Sequence, residues 1–463
     1  MINIPKKYEW ALTTVGIAIP IIFLILYAND LLFLTLGAIF LIAMLLLTAF
    51  SVERVFLLLA FYVAAFEVRG YLVYFPGMTI WYSWKISYPL FLLLIAYWAI
   101  HLFRSRERFV FNQMDKAVMV FLIIMMAGAI HGFLRGYDRK LVLYDFLQAP
   151  FFLGYFIFVY SPLKEKVRLY YDFLLFTAVF VGLQFIYAVT RFQAGFFLTR
   201  IVSEHIHIAQ FAIPYVVATL IYSKNTMRKV LFAPALPILL LGVVFCQQRS
   251  LYASVGLSIV LLIALFVYSK RAYIKAHAAQ TTRYLTIIAI FLALVVIVAQ
   301  SFSQGKFLNT ILSRLFIFLN IGRLNQDISW QIRWLEINDA LQDLNKFWLF
   351  GQGFGASFIT RCRYMLAIVV DQSYVYMIWK TGLVGLLSLL AMYYMLFKRG
   401  LSTLLKKITP EERIQLLTAI INTAGMMLIA FANVSIAHFR LMFVWAGLFG
   451  ATEVIARRYD KIH

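Results

Sequence analysis

Apolar residues dominate this chain in long runs, separated by short polar or basic joints. A helix needs about 20 apolar residues to cross the hydrocarbon core of a bilayer. Runs that meet or approach that length lie at 11–28, 31–49, 54–68, 86–103, 117–134, 143–160, 169–190, 206–222, 230–246, 251–268, 284–300, 374–397, 414–431 and 438–455. The third is the shortest. The pattern predicts an all-α polytopic transmembrane helix bundle of about 14 spans, a single transmembrane domain over 1–463.

The basic residues supply an independent check on that count. With the N-terminus inside, the predicted inner joints carry Arg104, Arg106, Arg108 and Lys116, then Lys164, Lys166 and Arg168, then Lys224, Arg228 and Lys229. They continue with Lys270, Arg271, Lys275 and Arg283, with Lys398, Arg399, Lys406, Lys407 and Arg413, and with Arg457, Arg458 and Lys461 in the tail. The outer joints are poorer, apart from Arg135, Arg139 and Lys140. Lys and Arg collect on cytoplasmic loops, so both termini are expected in the cytoplasm. Lys6 and Lys7 precede an apolar run with no small-residue cleavage site, and that run is read as a retained first helix.

One segment breaks the rhythm. Residues 301–373 form a long stretch between spans, expected on the outer side and rich in Phe and Trp. Long loops in compact proteins tend to be functional. Within it, 328–345 spaces Ile328, Ile332, Leu335, Ile337, Leu341 and Leu344 along one side of a helix. The spacing predicts an amphipathic helix lying at the outer membrane surface, with Ser329 as its N-cap. The GQGFG that follows (Gly351, Gly353, Gly355) reads as a flexible turn, because no strand precedes it to make a nucleotide-binding loop.

Composition narrows the solvent to lipid. The chain is 63% hydrophobic and 13% charged, where soluble domains carry roughly 45–50% and about 25%. A soluble globular enzyme is excluded. The net charge of +22 is explained by the inner joints rather than by nucleic acid. Cys246 sits in an apolar run, and with Cys362 it makes no disulfide scaffold.

Candidate chemistry gathers on the outer side. It comprises Arg249, Arg314, Arg323, Arg333, Arg361, Arg363 and Asp371, with Glu336 and Asp339 on the amphipathic helix. Arg249 lies between two apolar spans with hardly any loop, so it is paired, hydrated, used, or snorkelling to the interface. Arg333 reads as a site residue or as a headgroup anchor. Converging guanidinium groups suit phosphate oxygens, which they bind through paired hydrogen bonds. Asp371 has two uses open to it, as an ion-pair partner or as a general base. Tyr374, Trp330 and Trp334 offer flat faces to sugars or belong to an interfacial aromatic belt. His205 and His207 form an H-x-H pair without further residues at ligand spacing, so no metal is expected. Glu204 beside them is a candidate for binding sugar hydroxyls. No P-loop, H-E-x-x-H or D-x-D is present, which argues against nucleotide-driven chemistry and against any cofactor.

Four features occur in a telling order: an Arg in CQQRS, an Arg-bearing helix IRWLEINDAL in the long loop, FGQGFG, and a DQSYVYMIWKTGLVGLL span. Over roughly residues 240–390 this resembles the O-antigen polymerase and O-antigen ligase superfamily. Ligases commonly carry a His eleven residues before the first Gly of G-L-x-G. Counting back from Gly382 gives Asp371, so the chain looks closer to the polymerases, where a D-N-S-Y-like sequence is common.

The resemblance implies a bacterial inner-membrane glycosyltransferase, free of metal and cofactor, that polymerises polyprenyl-diphosphate-linked oligosaccharide repeats into a surface polysaccharide. Arg249, Arg333 and Asp371 would be its catalytic residues, and Arg314, Arg323, Glu336, Arg361, Arg363, Tyr374 and Trp330 would line the substrate site. Its partners would be the lipid-linked donor, membrane lipid and a chain-length regulator protein, and not nucleic acid. Competing readings are an O-antigen ligase, a lipid-linked oligosaccharide flippase and a peptidoglycan-type polymerase. The flippase reading expects two related halves, and no internal repeat is visible.

Overall fold

A computed structural model describes residues 51–65, 84–105, 109–192, 206–246, 248–269, 328–342, 344–359, 366–367, 370, 372–431 and 439–460. In chain order the helices are α1 (Val52–Ala65), α2 (Trp84–Ser105), α3 (Gln113–Leu134), α4 (Arg139–Phe146), α5 (Gly154–Val159), α6 (Val167–Phe192), α7 (His207–Tyr222), α8 (Thr226–Phe232), α9 (Ala235–Cys246) and α10 (Arg249–Ser269). They continue with α11 (Ile328–Leu341), α12 (Leu344–Phe347), α13 (Ser373–Leu404), α14 (Pro410–Ile429) and α15 (Phe439–Asp460). Strands β1 (Phe358–Ile359) and β2 (Leu366–Ala367) pair antiparallel, with Phe358 opposite Ala367. The protein is therefore a mostly helical bundle, as the apolar runs predict.

Among the described residues, five stretches are long and apolar enough to cross a membrane: Ser87–Ser105, Gln113–Leu134, Arg139–Val159, Thr226–Val244 and Ser373–Leu404. The expected runs 11–28, 31–49 and 284–300 lie outside the described residues. The run 143–160 is not one regular helix. Pro150 sits in a 3-10 turn, Ala149–Leu153, that divides α4 from α5, because proline supplies no N–H to an α-helical ladder. The run 374–397 is longer than expected and broken at Gly382 within α13.

Local signals set several helix starts. Asn112 and Asp115 form a reciprocal capping box at α3. Thr409 accepts from the Glu412 N–H and Pro410 takes the first helical position of α14. Packing then selects faces. On α3, Met114, Val118, Phe121 and Met125 are buried, while Val120, Ile123, Met126 and Ile130 are exposed. Both faces are apolar, as expected of a helix between protein and lipid. An aromatic cluster ties four helices together: Phe56 of α1 lies 4.6 Å from Phe443 of α15, 5.7 Å from Phe158 of α5 and 6.0 Å from Tyr170 of α6.

The ion pairs concentrate at one end of the bundle, where α1, α3, α14 and α6 begin and α13 and α15 finish. Lys166 pairs with Glu53 at 2.9 Å, Arg228 with Asp172 at 2.6 Å, and Arg458 with Glu412 at 3.0 Å. Two fully buried acids lie at the centre. Glu453 accepts from Arg399 and Arg457, and Asp115 accepts from Arg457 and from the Tyr155 hydroxyl at 2.7 Å.

The Glu412 and Asp460 carboxyls, beyond the apolar cores of their helices, sit below the usual carboxylate range. Burial works to raise both. Hydrogen bonds outweigh it, from Tyr459, Thr409 and Arg458 to Glu412 and from Lys406 and Arg399 to Asp460. Their stabilising contribution is complete above the unfolded-chain values near 4 and is lost as the pH falls through the lower folded values. The melting temperature of the purified protein should be level above about pH 6 and fall below about pH 4. Asp460→Asn should lower the plateau and flatten the fall. A melting temperature that rises on acidification would contradict this account.

Candidate functional site

The end opposite the ion pairs is built around a break in α13. Gly382 takes φ 69° and ψ −167°, a conformation that only glycine adopts without strain. The break frees backbone groups deep in a helix that is too apolar to be reached by water. The segment 348–356 satisfies them. Gln352 N–H donates to the Trp379 carbonyl at 2.8 Å and Gly353 N–H to the Lys380 carbonyl at 2.9 Å. In return, Leu383 and Val384 N–H groups donate to the Trp348 and Leu349 carbonyls at 2.9 and 3.2 Å. Phe354 N–H reaches the Gly128 carbonyl of α3 at 3.0 Å. At Gly132 a Cβ would lie 2.1 Å from the Phe354 carbonyl oxygen, so α3 admits the loop only because that position is glycine.

GQGFG is therefore not a flexible surface turn. It re-enters the bundle between α3 and α13, with Gly351, Gly353, Phe354 and Gly355 buried. Irregular backbone at such depth is tolerated only when protein surrounds it or it lines a cavity.

A buried ion pair locks the loop. Lys380 Nζ lies 2.6 Å from Asp145 Oδ2 of α4, with both side chains fully buried. The same ammonium donates to the Ala356 carbonyl at 2.6 Å, and Gly355 N–H donates to Asp145 Oδ2 at 2.9 Å. Lys380 also lies 4.1 Å from the centre of the Trp379 ring, a cation–π contact. At 1.5 Å per residue the lysine is roughly 10 Å below the start of α13. Neither Lys380 nor Asp145 was singled out from the sequence. The signal was there: each is a charge inside an apolar run, and the two have opposite signs.

Of the residues singled out from the sequence, Arg249 begins α10, with two residues, Gln247 and Gln248, separating it from Cys246 at the end of α9. The near-absence of a loop there matches expectation, as does the burial of Cys246. α10 packs along α14, with Ser254 beside Gly425, so Arg249 and the α14 C-terminus share one end of the bundle. Ser373 N–H donates to the Ala430 carbonyl at 2.9 Å, which brings the start of α13 to the same end. Asp371, Arg314, Arg323, Arg361 and Arg363 lie outside the described residues, as do His205, Glu204 and Cys362.

The helix α11 corrects one expectation. It ends at Leu341 rather than 345, and Ser329 is its second residue rather than its N-cap. Its buried face is also not the apolar one. Glu336 is 5% exposed and Asp339 8%, while Trp334 is 55% exposed and Leu335 37%. Glu336 thus lies on the buried side of α11, which packs on α13 and β1. An apolar face is driven inward only when the alternative is water, and this helix has no such constraint where lipid or headgroups cover it. Arg333 is half-buried on this helix and Trp330 is exposed. The Tyr374 hydroxyl donates to the Met427 carbonyl at 2.9 Å and its ring packs 4.7 Å from Phe431, so it joins α13 to α14.

His207 is the first residue of α7 and is buried. Among the described residues, no group of three or more His, Cys, Asp or Glu side chains is placed to hold a metal. No protein-family model matches the sequence, and a search among curated proteins finds no match.

Removing one partner of the buried pair leaves the other charged and unpaired. Lys380→Met should cost about 3–5 kcal/mol of stability, and combining it with Asp145→Leu should recover much of the loss. Gly382→Ala should also be poorly tolerated, because its Cβ would lie 2.2 Å from the Leu349 carbonyl oxygen. Thermal unfolding in detergent measures all three. A Lys380→Met protein as stable as the parent would remove the lock from the account.

Proposed function

We propose that this protein is a membrane glycosyltransferase that polymerises polyprenyl-diphosphate-linked oligosaccharide repeats on the outer face of the bacterial inner membrane. The observation that carries the reading is the meeting of two chain segments at one end of the bundle. Arg249 opens α10 there, and α13 starts there at Ser373, two positions after Asp371 in the sequence. The resemblance in motif order supplies the class of reaction. The opposite, ion-paired end faces the cytoplasm in this proposal, in keeping with the distribution of Lys and Arg.

In the reaction, an acceptor sugar hydroxyl attacks the anomeric carbon of the donor. The new glycosidic C–O bond forms as the bond to the diphosphate breaks, and the electron pair leaves with the diphosphate. Arg249 and Arg333 hold that diphosphate and stabilise its developing charge. Asp371 orients the acceptor and takes its proton as general base. Arg314, Arg323, Arg361 and Arg363 extend the basic surface for the donor, and the exposed Trp330 offers a face to sugar. The lipid tail lies against the apolar flanks of the helices. The diphosphate carrier is an activated leaving group, so the scheme uses no nucleotide, metal or other cofactor.

The test is an elongation assay with lipid-linked repeat units as both donor and acceptor. Arg249→Ala and Arg333→Ala should each abolish long-chain product while the protein still inserts in the membrane. Asp371→Asn should lose turnover and keep donor binding, and chelators should leave the rate unchanged. Normal polymer from both arginine variants would overturn the assignment. Transfer only to a different, non-repeat acceptor would identify a ligase instead.

A further inference from the structure

Hydroxyl groups on helices ordinarily return to the carbonyl four residues earlier. Thr177, Thr381, Thr403, Thr418, Thr423 and Thr452 all do so here, at 2.8–2.9 Å. Ser254 and Ser258 of α10 do not. Both are fully buried, and neither Oγ has a hydrogen-bond partner. Gln210 of α7 is also fully buried, and neither its Oε1 nor its Nε2 is paired.

These groups converge on Gly425 of α14. A Cβ built there would lie 2.5 Å from Ser254 Oγ, 2.6 Å from Gln210 Nε2 and 3.0 Å from Ser258 Oγ. No two of these atoms are therefore farther apart than one bridging molecule spans. One turn earlier on α14, Asn422 donates from Nδ2 to the Phe211 carbonyl at 3.0 Å and leaves its Oδ1 unpaired. Pro214 in α7 withholds the N–H that the Gln210 carbonyl would otherwise receive. Helices α7 and α10 thus turn unpaired polar groups toward one another against Gly425 of α14 in the apolar interior, where each such group is costly.

We propose that Gln210, Ser254 and Ser258 form an internal water-binding site at Gly425 that fastens α7, α10 and α14 together beneath Arg249. The chemistry selects water. Every group in the set is neutral, and hydroxyl and amide groups both donate and accept, so a small neutral ligand that does the same completes them. Buried waters typically make about three such bonds. Gly425 is required because any side chain there would fill the place where the polar groups meet. The site stands whether or not the protein transfers glycans.

Melting temperatures of the full chain in lipid nanodiscs test this through Ser254→Ala, Ser258→Ala and the double substitution. With bridging water, each single change lowers the melting temperature by about 1–3 °C. The double change lowers it little further, because the first already disrupts the shared site. Gly425→Ala lowers it as well, but the serine variants decide the matter if that protein fails to fold. If the hydroxyls are simply unpaired, each Ser→Ala leaves the melting temperature unchanged or raises it, and the water site is overturned. A stabilisation by sodium chloride over choline chloride that disappears in the double variant would also overturn it, in favour of a cation.

Discussion

Backbone amides inside a bilayer have no water to fall back on, and that constraint organises this molecule. An unbroken helix satisfies it alone, but α13 is broken at Gly382. The carbonyls and N–H groups released there are paired by residues 348–353, and Lys380 with Asp145 closes the arrangement. The glycines of the loop, Gly132 on α3 and the buried ion pair are parts of one solution. Removing any of them returns a cost to the others.

The two ends of the bundle use charge differently. At the end with Arg457 and Arg458, cations and anions are interleaved, and most are partly exposed, where a single pair contributes little. The buried Asp115 and Glu453 are the exception: Glu453 is held by the guanidinium groups of Arg399 and Arg457, and Asp115 by Arg457 together with the Tyr155 and Tyr160 hydroxyls. That end is a fastening. The other end has one ion pair locked inside, Lys380 with Asp145, while Asp138, Arg139 and Lys140 are exposed there and α11 presents Trp330 and Trp334 outward.

Helix positions were largely legible in the sequence because the apolar runs are long and basic residues mark their joints. The described helices α2, α3, α10, α13, α14 and α15 fall within the expected runs to a few residues, with α13 continuing beyond its run. The abrupt corner before Arg249 was legible for the same reason. The interior of the long loop was not. Its GQGFG read as a turn because glycine marks both a flexible joint and a place of close backbone approach, and only the neighbouring Gly132 and Gly382 distinguish the two. Helix α11 misled because amphipathicity predicts which face is buried only when water is the alternative.

Composition and periodicity by themselves determined that the chain lives in lipid, that it is helical, and roughly where each helix begins and ends. These follow from local chemistry summed along the chain. Tertiary structure alone decided which of two apolar faces on α3 meets protein, that Lys380 finds Asp145 across 235 positions, and that Gln210, Ser254 and Ser258 gather at Gly425. Where both solvent and core are apolar, hydrophobicity no longer distinguishes inside from outside. The choice passes to shape and to the pairing of the few polar groups, and those depend on residues far apart in the chain.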